Sequence, residues 1–222
     1  MRKMKRKTKK RIGNIISAIL FLLAICFAIY TVTPIVQFYL GNQESVQEWE
    51  EIKDLSLEEL MESENVILAP TIDLTQEEKE DKFGALVGTL YLEHDTNKII
   101  PIRYGTDEET LKKGAGVDYM TCISNEANNS VIYGHREQYF WELQNVKIGE
   151  KVIVETPLGA YIYEVYEAQE RSPYDSEITR TTDESEITLV TCYPFVYMAP
   201  VTNRYVVKAK LVEEVNIDEQ IH

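Results

Sequence analysis

The chain has 222 residues, which suits one domain of ordinary size with additional segments. Of its 23 basic and 37 acidic residues, eight basic ones lie in residues 1–11, so residues 12–222 carry a net charge of −22. A short basic tip on an acidic protein excludes a general nucleic-acid-binding surface. Three cysteines are too few for a disulfide scaffold.

The first predicted element is a membrane anchor. Residues 15–36 contain no charged residue, and 22 residues are enough to cross a hydrocarbon layer of about 30 Å as a helix. A cleaved signal peptide would have a shorter apolar core and a small-residue cleavage site, which we do not find. The basic residues in 1–14 predict a cytoplasmic tip, so the rest of the chain is expected outside the membrane.

Residues 37–82 are predicted to form an acidic extracellular stalk. Within them, residues 41–82 hold 14 acidic and three basic residues. Two capping-box patterns, Ser56-x-x-Glu59 and Thr75-x-x-Glu78, indicate short helices. The favoured interpretation is a solvated, partly helical spacer. The alternative is a docking helix that uses four apolar residues: Val46, Trp49, Ile52 and Leu60.

From residue 83 the pattern changes to short strands. Residues 105–116 (GTDEETLKKGAG) predict a brief helix, with Thr106 and Glu109 as a capping box and Gly114 as its end. Residues 151–170 predict a hairpin with alternating apolar and polar positions. Seven or eight strands with short helices in some connections predict a mostly β barrel or sandwich over residues 83–215, followed by a tail, 216–222.

Three side chains near predicted strand ends could carry chemistry. Cys192 ends the strand EITLVTCY, and His135 ends the strand SVIYGH. A thiol is intrinsically nucleophilic, and a nearby imidazole can carry protons for it. Arg204 begins the next strand, so antiparallel pairing would place its guanidinium beside Cys192, where it could stabilise an oxyanion. Taken singly, each residue also has an ordinary structural interpretation.

Metal and phosphate sites have little support in the sequence. There is no Cys-x-x-Cys or His-x-x-x-His spacing and no Gly-rich phosphate loop. No cofactor is indicated, and the many carboxylates leave calcium modulation open, without an EF-hand pattern.

These residues resemble the sortases, membrane-anchored cysteine transpeptidases of Gram-positive bacteria. The segment TLVTC, residues 188–192, matches the TLxTC signature of that family, and GHR, residues 134–136, matches its histidine segment. Arg204 follows Cys192 by twelve residues, as the arginine of the family does. Residues 105–116 and the segment TCYPF are most similar to the class D branch.

The resemblance implies a closed eight-stranded β-barrel and catalytic roles for Cys192, His135 and Arg204. It implies cleavage of an LPxTG-like sorting motif after threonine through a thioacyl intermediate. An amine of the cell wall or of a pilin would then accept the surface protein. Thr191 is expected to contact the substrate, and the catalytic domain is expected outside a single-pass membrane helix.

Three alternatives remain open. One is a catalytically silent, membrane-anchored barrel that serves as a surface binding module, and another is an exported cysteine hydrolase. The third concerns regulation, because Cys122 is also expected outside the membrane and could pair with Cys192.

Overall fold

The computed structural model describes residues 2–55, 57–63, 66, 82–118, 128–197 and 199–216. The chain forms two compact units, Met1–Leu40 and Gly41–His222. The helices are α1 (Arg2–Ile52), α2 (Leu57–Glu62) and α3 (Glu108–Lys113), with 3₁₀ turns at Trp141–Asn145 and Ser176–Ile178. The strands are β1 (Leu86–Leu92), β2 (Asp95–Tyr104), β3 (Ala115–Val117), β4 (Asn128–Tyr133), β5 (Lys151–Thr156), β6 (Gly159–Arg171), β7 (Ser185–Tyr193) and β8 (Asn203–Asn216).

The first unit contains the apolar part of α1. The segment Asn14–Thr33 has a mean hydropathy of 2.7 over 20 residues, and none of it is buried. At 1.5 Å per residue, such a segment is about 30 Å long, the thickness of a hydrocarbon layer. By length and composition, the helix can cross a membrane, in agreement with the anchor expected at residues 15–36.

The second unit is a closed barrel of eight strands in the order β1-β2-β3-β4-β7-β8-β6-β5. The pairs β2–β3 and β4–β7 are parallel, and the other six pairs are antiparallel. Fully buried apolar side chains fill the core, among them Leu90, Ile102, Ile132, Leu189 and Val207. This confirms the eight-stranded barrel with short helices that the resemblance implied.

One glycine is required by the closure between β1 and β5. A Cβ atom at Gly88 would lie 2.1 Å from the carbonyl oxygen of Glu155 on β5. Any other residue would therefore force these two strands apart, which explains why the strand GALVGTLYL carries a glycine at this point.

The short helix α3 begins one residue later than predicted. Asp107, and not Thr106, is the N-cap, and its carboxylate accepts hydrogen bonds from the backbone N–H groups of Glu109 and Thr110. Gly114 follows the last helical residue as expected, but its backbone is extended. The glycine is required by space, because a Cβ atom there would lie 2.6 Å from the carbonyl oxygen of Pro101.

The segment predicted as a solvated spacer is in part docked on the barrel. Trp49, Ile52 and Leu60 are 3%, 7% and 4% exposed, and they form one apolar cluster with Val66 and Leu86. The spacer interpretation is therefore wrong for this part of the chain, and the docking-helix alternative describes it. The physical reason is that one apolar face of a helix can be buried while its acidic face stays in water.

A buried arginine on β2 fixes the end of α1 to the barrel. Arg103 is 4% exposed and donates hydrogen bonds to the Gly84 carbonyl at 2.7 Å and to the Ser45 hydroxyl at 2.8 Å. It also forms an ion pair with Glu48. The Ser45 hydroxyl in turn donates to the Lys113 carbonyl at 2.9 Å. The second predicted capping box, at residues 75–78, and the tail after residue 216 lie outside the described residues.

Candidate active site

Cys192 and Arg204 face each other across the pair β7–β8. They are direct partners in the antiparallel register, and Nη1 of Arg204 lies 4.0 Å from Sγ of Cys192. Both residues are half-buried, and Cys192 forms no disulfide with another described residue. A guanidinium at this distance can stabilise negative charge that develops beside the sulfur.

His135 reaches the same edge of the barrel from β4. The strands β4 and β7 run parallel, with Tyr133 opposite Val190. Beyond that pair, the backbone N–H of Gly134 donates to the Val190 carbonyl at 3.1 Å. β4 ends at Tyr133, so His135 lies two residues beyond the last paired residue of β4, as Cys192 lies two residues beyond its partner Val190. His135 is half-buried, so its ring remains accessible.

Gly134 allows an aromatic ring to support the histidine segment. A Cβ atom at Gly134 would lie 2.7 Å from the ring of Phe140, which is fully buried. A glycine before a strand-end histidine would be expected to provide a sharp turn. The structure gives a packing reason instead, since the Phe140 ring occupies the space of a side chain. The Phe140 N–H also donates to the His135 carbonyl at 3.2 Å.

Thr191 ties the cysteine strand to the histidine segment. It was expected to contact the substrate. Its side chain is 2% exposed, and its hydroxyl donates to the Gly134 carbonyl at 2.7 Å. This bond joins the backbones just before His135 and Cys192, so it favours a positioning role for Thr191 over a substrate contact.

Arg136 is a structural partner that the sequence analysis did not identify. Its side chain is almost fully buried, and it donates to the carbonyls of Pro194 and Ala199 in the loop between β7 and β8. It also forms an ion pair with Glu137, to which Nε donates at 2.9 Å. One guanidinium thus connects the residue after His135 to the loop after Cys192. Its adjacency to His135 was the only sequence signal.

A groove of about 240 Å³ begins at this edge and includes Arg204 among its lining residues. Its apolar floor is a cluster in which Ile178 packs on Val190 and Val206, with Tyr133 beside them. Burial and the nearby Asp118 carboxylate raise the pKa of the Tyr133 phenol above 10.0, against a lowering by Arg204. The phenol therefore remains protonated at neutral pH.

The loop between β6 and β7 supplies the outer wall of the groove. Pro173, Tyr174 and Asp175 line it, and Tyr174 is 94% exposed. The Asp175 carboxylate accepts a hydrogen bond from Arg171 at 2.6 Å and another from the Glu177 N–H at 3.0 Å. The bond from Arg171 is the main reason why the pKa of Asp175 lies below its ordinary value of 3.8.

Aromatic rings pack around the loop between β7 and β8. Tyr193 stacks on Tyr205 with ring centroids 6.2 Å apart, and Phe195 meets Tyr205 edge-on at 5.1 Å. Trp141 contacts Phe195 from the 3₁₀ turn. Since Tyr193 and Tyr205 directly follow Cys192 and Arg204, this packing fixes the backbone beside both.

Two expectations are not tested by this geometry. Cys122 lies outside the described residues, so its pairing with Cys192 stays a prediction. Within the described part of the chain, no three His, Cys, Asp or Glu side chains come together as a metal site would require. Calcium modulation stays a prediction.

A comparison with protein families decides the classification. A model described as the sortase domain matches residues 94–212, which include all three predicted catalytic residues. This chain belongs to the sortase family. Sortases are cysteine transpeptidases, and that chemistry is compatible with a thiol and a guanidinium placed side by side at one barrel edge.

Relatives of this sortase include members of class D. Sortase D of Bacillus subtilis is 30% identical over 117 residues, which is 52% of this chain and 59% of the relative. A second Bacillus subtilis protein, the putative sortase YwpE, is 34% identical over 74 residues, covering 33% of this chain and 70% of the relative. The chain thus matches less than two thirds of the length of Sortase D.

Solved structures show the same fold. A sortase D5 transpeptidase of Clostridium perfringens is 25% identical, covers 73% of this chain and 99% of its own, and has a TM-score of 0.54. Sortase C1 of Streptococcus agalactiae covers 77% of this chain and 98% of its own with a TM-score of 0.61, but at 18% identity it supports the fold alone. The resemblance to class D is confirmed by these relatives.

Proposed function

We propose that this sortase cleaves an LPxTG-like sorting motif after threonine and transfers the new carboxyl end to an amine. The observation that carries the proposal is the pairing of Cys192 with Arg204 at a groove mouth, with Nη1 4.0 Å from Sγ. Ile178, Val190 and Tyr133 line this groove beside polar residues, so it offers apolar contacts to the leucine and proline side chains of an extended peptide.

The reaction has two steps. The thiol proton of Cys192 passes to His135, the thiolate attacks the carbonyl carbon of the threonine, and Arg204 stabilises the negative charge on the carbonyl oxygen. His135 protonates the leaving amine, so the peptide bond breaks and a thioester to Cys192 forms. An incoming amine then attacks the thioester and gives its proton to His135, the new amide bond forms, and the sulfur of Cys192 leaves as a thiolate. The proposal includes no cofactor, because these three groups supply nucleophile, proton carrier and charge stabilisation.

The proposed setting is the cell surface. The apolar helix would be a single-pass anchor with the basic N-terminus in the cytoplasm, as an excess of lysine and arginine predicts. The barrel would then face outward, where proteins with sorting motifs and cell-wall or pilin amines are its partners.

The test uses the full chain in detergent micelles with a library of LPxTx peptides and an added amine, followed by mass spectrometry. We expect cleavage after threonine with capture of the amine, and no product from Cys192→Ala. Cleavage without capture would instead indicate a cysteine hydrolase. An absence of any reaction with reduced protein would favour the silent binding module. The chain should not be shortened to residue 82, since this would remove the docked residues Trp49 and Ile52.

A further inference from the structure

One face of the pair β7–β8 carries three successive rows of paired residues. Side chains two residues apart on a strand point to the same face. The rows are Cys192–Arg204, Val190–Val206 and Thr188–Lys208. The first row is the proposed reaction centre, and the second is the apolar floor of the groove. The third is polar and yet buried, and no step of the proposed reaction uses it.

The charged end of Lys208 binds the backbone of the groove wall. Its side chain is 3% exposed, and Nζ donates a hydrogen bond to the carbonyl of Glu177 at 2.6 Å. A buried ammonium group is costly unless it is hydrogen-bonded, so this contact strongly favours one position of the carbonyl. Glu177 belongs to the 3₁₀ turn Ser176–Ile178, which lines the groove.

Asn129 holds the same turn from β4. It is 2% exposed, and its Nδ2 donates to the carbonyls of Ile178 and Arg180, both at 3.0 Å. Its Oδ1 accepts a hydrogen bond from the buried hydroxyl of Thr188 at 2.6 Å, which orients the amide. Two buried side chains from different strands therefore hold three carbonyls within four residues of the loop.

We propose that Asn129 and Lys208 are positioning residues that keep residues 176–180 as a preformed wall of the substrate groove. This inference rests on the proposed function, because the wall acts on the peptide bound there. A wall that is already ordered does not have to be ordered when the peptide binds, which strengthens binding. Neither side chain belongs to the row of Cys192, so they set the affinity for the peptide and not the rate of the chemical step.

The test compares Lys208→Met and Asn129→Leu with the control Lys210→Met in the full chain in micelles. Lys210 lies two residues further along the same face, but it is exposed and pairs with Glu184 at 2.7 Å. Three quantities are measured: KM and kcat for a sorting peptide, amide hydrogen exchange in residues 176–180, and the rate of alkylation of Cys192 by iodoacetamide.

We expect the two test variants to raise KM by about tenfold. Lys208→Met removes a hydrogen bond from a charged donor, and Asn129→Leu removes a donor that makes two hydrogen bonds, and losses of this kind weaken binding by about that factor. Exchange in residues 176–180 should become faster, while kcat and alkylation stay close to those of the parent. The control should match the parent in every measurement. Thr188→Val, which removes only the bond that orients Asn129, should give a smaller change of the same kind.

Unchanged exchange would show that these side chains do not hold the wall. Faster exchange with unchanged KM would show that the wall does not set binding, and a fall in kcat alone would place the effect in the chemical step. If Asn129→Leu does not fold, Lys208→Met and Thr188→Val test whether buried side chains hold residues 176–180 in place. If the parent itself cleaves no peptide, the proposed function fails. The comparison of amide hydrogen exchange in residues 176–180 still tests whether Asn129 and Lys208 hold that segment.

Discussion

Replacing Trp49 with alanine tests whether the end of α1 belongs to the folded barrel. Trp49 is 3% exposed, and it packs in the cluster that reaches Leu86 at the start of β1. A buried tryptophan removes about 150–250 Å² from water. At about 25 cal/mol per Å², this corresponds to about 4–6 kcal/mol as an upper estimate, because the unfolded chain is not fully extended. Measured aromatic-to-alanine changes in cores cost about 3–5 kcal/mol.

The assay is thermal unfolding of the full chain in micelles. For domains of this size, each kcal/mol lowers Tm by about 2–4 °C, so a loss of 3 kcal/mol predicts a shift of about 6–12 °C. The matched control is Glu50→Ala at the next position, where the side chain is 53% exposed. A surface change of this kind stays within about 0.5 kcal/mol. Equal Tm values for the two variants would refute the docking of α1.

Two further predictions concern the two loops next to the candidate site, β7–β8 and β6–β7. Arg136→Met removes the donor to the loop between β7 and β8, so we expect kcat/KM for the sorting peptide to fall about tenfold or more, and an unchanged value would contradict the positioning role. The pKa of Asp175 is lowered in the folded state by Arg171, so its stabilisation is present above the ordinary pKa of 3.8 and is lost as the pH falls through the folded value. Parent and Asp175→Asn should therefore differ in Tm at pH 6 and converge in acid, and a difference that persists in acid would count against this contact.

The placement of Cys192 beside Arg204 in the candidate site was predictable because the two residues are local neighbours. Cys192 and Arg204 flank one loop between consecutive strands, and an antiparallel hairpin places such residues side by side. His135 required more, because the parallel pairing of β4 with β7 joins segments far apart in sequence. Their positions at predicted strand ends made a meeting of the histidine and the cysteine possible, and the resemblance to sortases supported it further.

The positioning residues could not be found from the sequence pattern. In the segment VVKAK, Lys208 and Lys210 occupy equivalent alternating positions and look alike. Only Lys208 is buried under the loop between β6 and β7. Its burial depends on contacts with residues about thirty positions away in the sequence, such as Glu177. Arg136 presents the same difficulty, since the carbonyls that it binds belong to a loop of irregular shape.

The docking of α1 was underestimated because charge dominates that segment. Trp49 and Ile52 have helical spacing, but a net charge of −11 over residues 41–82 favoured a solvated spacer. The deciding partner is Arg103 on β2, whose guanidinium neutralises Glu48 and binds Ser45. A sequence offers no way to see that this arginine is buried against that helix.

The place of β8 in the barrel has a consequence for how the protein matures. The last strand lies between β6 and β7, and it pairs with both along most of its length. Until residues 203–216 have been synthesised, both neighbours keep an open edge, which is a template for aggregation. Arg204 arrives with the same strand, so the barrel closes and the thiol gains its guanidinium in one event. An incomplete chain therefore lacks the guanidinium beside Cys192, so we expect the proposed cleavage to begin only once β8 is in place.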